Sequence, residues 1–314
     1  MTHKLKNKFQ SVLNEWLLKR GFKLTDASVA FRLSIISGKR LPVYIGPDLN
    51  PCFTIDQATI PDKVFIITIP KSGTYLVAKL LENLGIINCN VHIATTNIQD
   101  NRFADEKAFK LEPWRFFVEI PLTSSAQLIR TGQFSFGHIP YLETEKKSLE
   151  DFKKIFTFRE LRDVIISIIR FLDSLEQNFK KPEAIKLGQK FKEAPMGNDK
   201  FKYWFSLWGK EYESIIRNML PWKERSDVFQ VKFETLMGDD GKDAQLSLQR
   251  GLCGFLGLNI TDAEIDKAIK DSMGARTLTY SGMRSSYSDW WNEEVEDLFT
   301  QYGFKELNRL YGYE

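Results

Sequence analysis

The run Lys63-Val-Phe-Ile-Ile-Thr-Ile-Pro-Lys-Ser-Gly-Thr74 decides the architecture of this chain. Val64 to Ile69 is a near-continuous apolar and β-branched stretch, as a strand buried on both faces requires. Pro70-Lys-Ser-Gly73 breaks it as a turn. Leu76, Val77, Leu80, Leu81 and Leu84 then recur at helical spacing and stop at Gly85. A strand that turns sharply into a helix leaves backbone N–H groups free at the helix start, and these donors together with the helix dipole form an anion site. Gly73 lets the backbone approach the anion. Lys71 adds a mobile positive charge, and Ser72 and Thr74 add hydroxyls. The loop is not a Walker A loop, because Lys71 precedes Gly73 and the turn holds no earlier glycine.

Working outward, the same strand–helix unit recurs. Phe116–Ile120 reads as a strand followed by a helical stretch near Ser124–Arg130, and Gln133–Phe136 as another strand. Ile155–Phe158 is a strand, and the helix after it carries Val164, Ile165, Ile168, Ile169 and Leu172; Val228–Val231 is a further strand. Such alternation predicts an α/β fold in three layers, a central parallel sheet flanked by helices. Leu5, Phe9, Val12, Leu13, Trp16 and Leu17 have helical spacing, and a loop-rich stretch with Pro42, Gly46, Pro47, Asn50 and Pro51 follows. The expected organisation is one domain over residues 1–314, with 1–60 a helical and loop extension packed on it. Residues 181–200 read as a surface loop or insert, and Trp290–Tyr311 as one helix.

Composition narrows the function. Of 314 residues, 43% are apolar and 27% charged, which supports a packed core. A net charge of +3 is too slight to argue for nucleic acid or an anionic membrane surface. Cys52, Cys89 and Cys253 are odd in number and lack a C-x-x-C pair, so a disulfide framework and a zinc site are not expected, and buried thiols in a reducing, cytoplasmic setting are. No apolar run approaches the roughly 20 residues of a membrane span, and Met1 to Arg20 has no signal-peptide core.

Thr68-Ile-Pro-Lys-Ser-Gly-Thr74 resembles the 5′-phosphosulfate loop, T-x-P-K-S-G-T, of the sulfotransferases that use 3′-phosphoadenosine 5′-phosphosulfate (PAPS). Tyr75 and Leu76 stand where that family often has Thr-Trp. Arg159-Glu-Leu-Arg-Asp163, with Ser167 four residues on, resembles the family's 3′-phosphate element, R-x-x-[RK]-D-x-x-x-S. An arginine at a strand end can hold a phosphate in bidentate fashion. Met283-Arg-Ser-Ser-Tyr-Ser-Asp-Trp290 is similar to R-K-G-x-x-G-D-W, keeping Arg284, Asp289 and Trp290, with Arg276 a looser phosphate candidate. Weaker echoes are Phe233-Glu-Thr-Leu236, a packing feature; Phe255-Leu-Gly257; Ser272-Met273, the step that touches adenine; and Trp208, a helix aromatic on the nucleotide side.

Sulfuryl transfer to a hydroxyl needs a base, and histidine suits neutral pH. Phe136-Gly-His-Ile-Pro140 resembles the family's K-T-H-x-P, with His138 as base and Phe136 and Gly137 replacing Lys and Thr. His92 is the rival base or a lining of the acceptor pocket. The resemblance implies a P-loop-like sulfotransferase fold, with Lys71 and His138 catalytic and Lys71, Ser72, Gly73, Thr74, Tyr75, Arg159, Ser167, Trp208, Ser272, Met273 and Arg284 binding the donor. It implies PAPS as donor, 3′-phosphoadenosine 5′-phosphate (PAP) as product, no metal, and a small hydroxylated acceptor molecule, with a homodimer left open. The alternatives are a non-catalytic nucleotide-binding member of the fold and a P-loop kinase using ATP.

Overall fold

The computed structural model describes residues 33–35, 41–46, 48, 50–58, 60–103, 116–174, 182–273 and 287–314. Strands β1 (Leu33–Ile35), β2 (Leu41–Ile45) and β3 (Pro51–Cys52) form a small antiparallel sheet. The central sheet contains β4 (Lys63–Thr68), β5 (Ile87–Ile93), β6 (Asn97–Asp100), β7 (Phe117–Glu119), β8 (Gln133–Gly137), β9 (Phe152–Phe158) and β10 (Val228–Lys232), in the order β10-β9-β4-β8-β5-β6-β7. The first five in that order are parallel, and β6 and β7 add an antiparallel edge.

The deciding strand shows why the sheet is covered on both faces. Along β4, Val64 and Ile66 belong to one core, with Val77, Leu80 and Leu81 of α1 (Thr74–Asn83). Phe65 and Ile67 point to the opposite core. Each such side chain, fully buried, contributes about 1.5–3 kcal/mol of transfer free energy. The short helices α2 (Leu122–Ser125) and α3 (Glu143–Ser148) lie between strands. On the Phe65 side pack α4 (Leu161–Ser174), with Val164, Ile165, Ile168 and Ile169, and residues of α5 (Pro182–Glu193), α6 (Asn198–Trp204) and α7 (Lys210–Met219). After β10 comes α8 (Phe233–Met237); α9 (Lys242–Leu256) and α10 (Asp262–Ser272) join α1 on the Val64 face. The last two helices, α11 (Glu293–Gln301) and α12 (Phe304–Leu310), return to the Phe65 face through Phe299 and Phe304. The layers are helix, sheet, helix, as the alternation predicts.

Four readings of the sequence change. The stretch around Pro42 and Pro51 is β2 and β3, and the residues after it dock on the body: Gln133 Nε2 donates to the carbonyls of Thr54 and Asp56, and Arg102 to that of Phe53. Residues 181–200 supply α5 and the start of α6, with Phe191 and Lys200 buried, so they are not a surface loop. Lys200 conceals the pattern because its ammonium is buried against Asp173 and the Phe191 ring. The tail is two helices broken at Gly303, and the stretch at 124–130 is a short helix and a 3-10 turn. The helix expected near Leu5–Leu17 lies outside the described residues. Cys52, Cys89 and Cys253 are buried free thiols.

Candidate active site

Sheet register assembles the site at the C-terminal edge of the parallel strands, where open α/β sheets bind ligands. Thr68 pairs with Thr157, which puts the Lys71 turn beside Arg159. Ile67 pairs with Gly137, so Thr68 and His138 leave the sheet side by side. Phe158 pairs with Lys232, so Phe233 follows next to Arg159.

The loop is held by its own serine. Ser72 is fully buried; its hydroxyl lies 2.7 Å from the Ile69 carbonyl and 3.0 Å from that of Thr157, and its N–H donates to Ile69. Ser72 therefore ties the turn to β4 and β9, and its hydroxyl is not directed outward. Among the described residues, the N–H groups of Lys71, Gly73, Thr74 and Tyr75 have no carbonyl partner. Gly73 starts α1 at φ 98, and a Cβ there would stand 2.6 Å from the Phe233 ring. Lys71 itself has φ 65, a left-handed conformation that is costly for a non-glycine residue and recurs at functional loops.

Two cations face this turn. Lys71 Nζ lies 4.7 Å from the Phe171 ring centre, and burial, helped by the Arg159 charge, lowers it to about 8. The buried Arg159 guanidinium lies 4.4 Å from the Phe233 ring centre and meets Asp163 at 3.1 Å, while its Nε has no partner among the described residues. Asp163, Ser167 and Phe171 recur every four residues on α4 and share one face. Burial raises the Asp163 acid, against the opposing pull of the Arg159 charge and the Tyr287 N–H.

His138 joins the same network. The Thr74 and Thr68 hydroxyls are 2.8 Å apart, Thr68 Oγ1 is 3.1 Å from His138 Nδ1, and Nδ1 lies 2.7 Å from the Thr68 carbonyl. A carbonyl only accepts, so Nδ1 carries the hydrogen and Nε2 keeps its lone pair. Burial pulls His138 down to about 4, the Lys71 charge adds to this, and the bond to Thr68 opposes it. The imidazole is neutral near pH 7.

Of the remaining residues read from the sequence, Tyr75 packs edge-on to Phe136, and its hydroxyl, raised to about 12 by burial, accepts from Asn101. Phe136 is buried in this aromatic contact. Ser272 bonds Asn83, at the end of α1; Asn83 lies about 13 Å along that helix from Thr74 at 1.5 Å per residue. Met273 packs on the α1 face of the core, and Trp208 packs edge-on to Phe191. Arg284 and Arg276 lie outside the described residues. Phe233, read from the sequence as packing, is brought between Gly73 and Arg159; only the β9–β10 pairing reveals this.

No curated protein sequence matches the chain. Solved structures similar to it include mouse sulfotransferase SULT7A1 complexed with PAP, at 16% identity over 81% of this chain and 89% of that one, with a TM-score of 0.44. Another is a retinol dehydratase in complex with androsterone and inactive cofactor PAP, at 14% identity over 86% and 88%, TM-score 0.45. The family model of the sulfotransferase domain matches residues 61–296, which spans every strand of the central sheet, the Lys71 turn, His138 and Arg159, and the chain belongs to that family.

Proposed function

We propose that the protein transfers a sulfuryl group from PAPS to a hydroxyl of a small acceptor, with His138 as base. The observation that carries this reading is the hydrogen-bonded chain Thr74–Thr68–His138, which connects the first residue of α1 to an imidazole whose Nε2 has no partner among the described residues. The groups around it fit a doubly phosphorylated nucleotide. Among the described residues, four N–H groups without a carbonyl partner, Lys71 without a carboxylate, and the orphaned Arg159 Nε all call for negative charge.

When bound, the donor supplies the sulfuryl group and leaves as PAP. In this reading the N–H groups from Lys71 to Tyr75 hold its 5′-phosphosulfate, and Lys71 swings from Phe171 to the leaving phosphate oxygen. Ser72 shapes the loop from behind. Arg159 and Ser167, with Arg284 from the segment outside the described residues, take the 3′-phosphate. Phe233 backs the guanidinium, and Trp208, Ser272 and Met273 serve the adenosine end. His138 Nε2 accepts the acceptor proton as the acceptor oxygen bonds to sulfur, and Thr68 holds the resulting imidazolium through Nδ1–H. Residues 1–314 act as one unit.

The test is transfer of radiolabelled sulfuryl from PAPS to a library of hydroxylated acceptors. Lys71→Ala and His138→Ala should each lower turnover by about 10²–10⁴-fold, and His138→Ala should keep PAP affinity within about twofold. Near-normal turnover in His138→Ala removes the base assignment. PAP binding without turnover in the intact chain points to a nucleotide-binding member of the fold.

A further inference from the structure

The pairing of β5 with β8 is interrupted at one place. It runs Ile87 with Gln133 and Asn88 with Phe134, then resumes as His92 with Phe136 and Ile93 with Gly137. Four steps along β5 (88 to 92) thus match two along β8 (134 to 136). In regular pairing Asn90 would face Phe136; the bulge puts His92 there instead. Asn90 takes the strain, at φ 52, with its N–H donating to Asn88 Oδ1 at 2.7 Å. Bulges of this kind re-aim side chains beside active sites. The next pair is unusually close: a Cβ on Gly137 would stand 1.8 Å from the Ile93 carbonyl oxygen.

Together the bulge and the bare glycine bring two imidazoles into contact. The His92 ring centre lies 4.6 Å from that of His138, at 63°, and 5.7 Å from that of Phe136. His92 is half-buried. Burial, and after it the neighbouring His138, hold it well below its ordinary value, so it is neutral. Neither of its ring nitrogens hydrogen-bonds a described residue, and a neutral imidazole always carries one N–H to offer.

We infer that His92 is a second imidazole of the acceptor subsite, donating a hydrogen bond to the oxygen that His138 deprotonates, and that the pair selects hydroxyl acceptors over amines. The inference rests on the sulfotransfer reading above. A hydroxyl oxygen has two lone pairs. One forms the new S–O bond as the bond from sulfur to the leaving phosphate oxygen breaks, the other accepts from His92, and the hydroxyl proton passes to His138 Nε2. An amine nitrogen has a single lone pair; engaged by His92 it cannot attack, and an ammonium has none.

The experiment uses the full chain saturated with PAP, with ¹⁵N-labelled histidine, titrated with phenol and with aniline. Phenol and aniline should both move the ring resonances of His92 and His138, and with PAPS only phenol should be sulfated at an appreciable rate. With PAPS, His92→Phe should raise the KM for phenol about tenfold, the worth of one hydrogen bond, and lower the preference for phenol over aniline by a similar factor. PAP affinity should stay unchanged. His92→Asn, which keeps an N–H donor, should recover most of both. An unmoved His92 resonance, phenol failing to bind at millimolar concentration, or an unchanged preference in His92→Phe overturns the inference. If His92→Phe does not fold, the wild-type resonances and the Asn variant decide it. A chain that binds no PAP sinks the sulfotransfer reading instead, so the two failures are distinguishable.

Discussion

Lys71 has an unusual set of neighbours for a lysine: a phenyl ring, a second cation and, among the described residues, no carboxylate. Its ammonium is lowered from 10.5 to about 8, first by burial and then by Arg159. The folded value lies below the unfolded one. Between pH of about 8 and 10.5 the unfolded chain therefore binds more protons, and this group makes stability rise with pH over that window. A bound anion favours the charged ammonium and opposes that trend. PAP affinity should thus be flat below pH 7 and weaken above pH 8 by up to about tenfold per unit, one proton being linked to binding. Lys71→Arg, whose guanidinium stays charged, should lose the slope. Calorimetric titration between pH 6.5 and 9.5 reads both; a flat profile in the unaltered chain would show that Lys71 does not meet the ligand. At this scale the sequence was most legible, because the turn and the Arg159 run are written in contiguous residues. The direction of the Ser72 hydroxyl is not legible there, since nothing local reveals that it faces carbonyls of two strands.

Elements carry the part of the site that no contiguous stretch shows. The alternation of strands and helices announced the layers, because β4 carries the apolar run Val64–Ile67, β9 ends in Ile155-Phe-Thr-Phe158 and α4 keeps a strict apolar stripe. The pair β5 and β6 escaped notice: Asn88, Asn90 and His92 interrupt the apolar pattern, and an antiparallel edge has no crossover helix to mark it. Strand order was equally hidden, so Phe233 beside Arg159 and His92 beside His138 could not be foreseen. The tightest point between elements is Gly137 against Ile93. Gly137→Ala should force β5 from β8 and destabilise the chain by about 3 kcal/mol, an overpacking cost with no side-chain route of relief. The urea midpoint should fall with m unchanged, and a drop under about 0.5 kcal/mol would mean that the two strands are not so closely set.

At the scale of the molecule, the Arg159 junction is held from the far end of the chain. The Glu160 N–H donates to Glu234, whose other oxygen accepts from the Tyr313 hydroxyl, and the Leu161 N–H donates to Asn308 of α12. The buried Arg162 meets Glu160, the Glu314 carbonyl and, through Nε and Nη2, both oxygens of Glu296 on α11. Trp291 Nε1 donates to the same carboxylate. Burial pushes Glu296 up, but the bonds from Arg162, Trp291 and Lys305 outweigh it and bring it down to about 2. A depressed carboxylate contributes stability above its unfolded value, and that stability is lost as pH falls from about 4.5 towards 2. The amount is on the order of 2–3 kcal/mol. Burial shifts Glu160 the opposite way, so its contribution is lost on raising pH and does not mask this window. Glu296→Gln should therefore lower the melting temperature by several degrees at pH 7 and by much less at pH 2.5, measured by thermal unfolding over that range. Because the same clamp fixes the start of α4, the variant should also weaken PAP more than 5′-AMP, which lacks the 3′-phosphate that Arg159 is proposed to hold. Equal losses for the two nucleotides would separate the clamp from the phosphate site and confine Glu296 to stability.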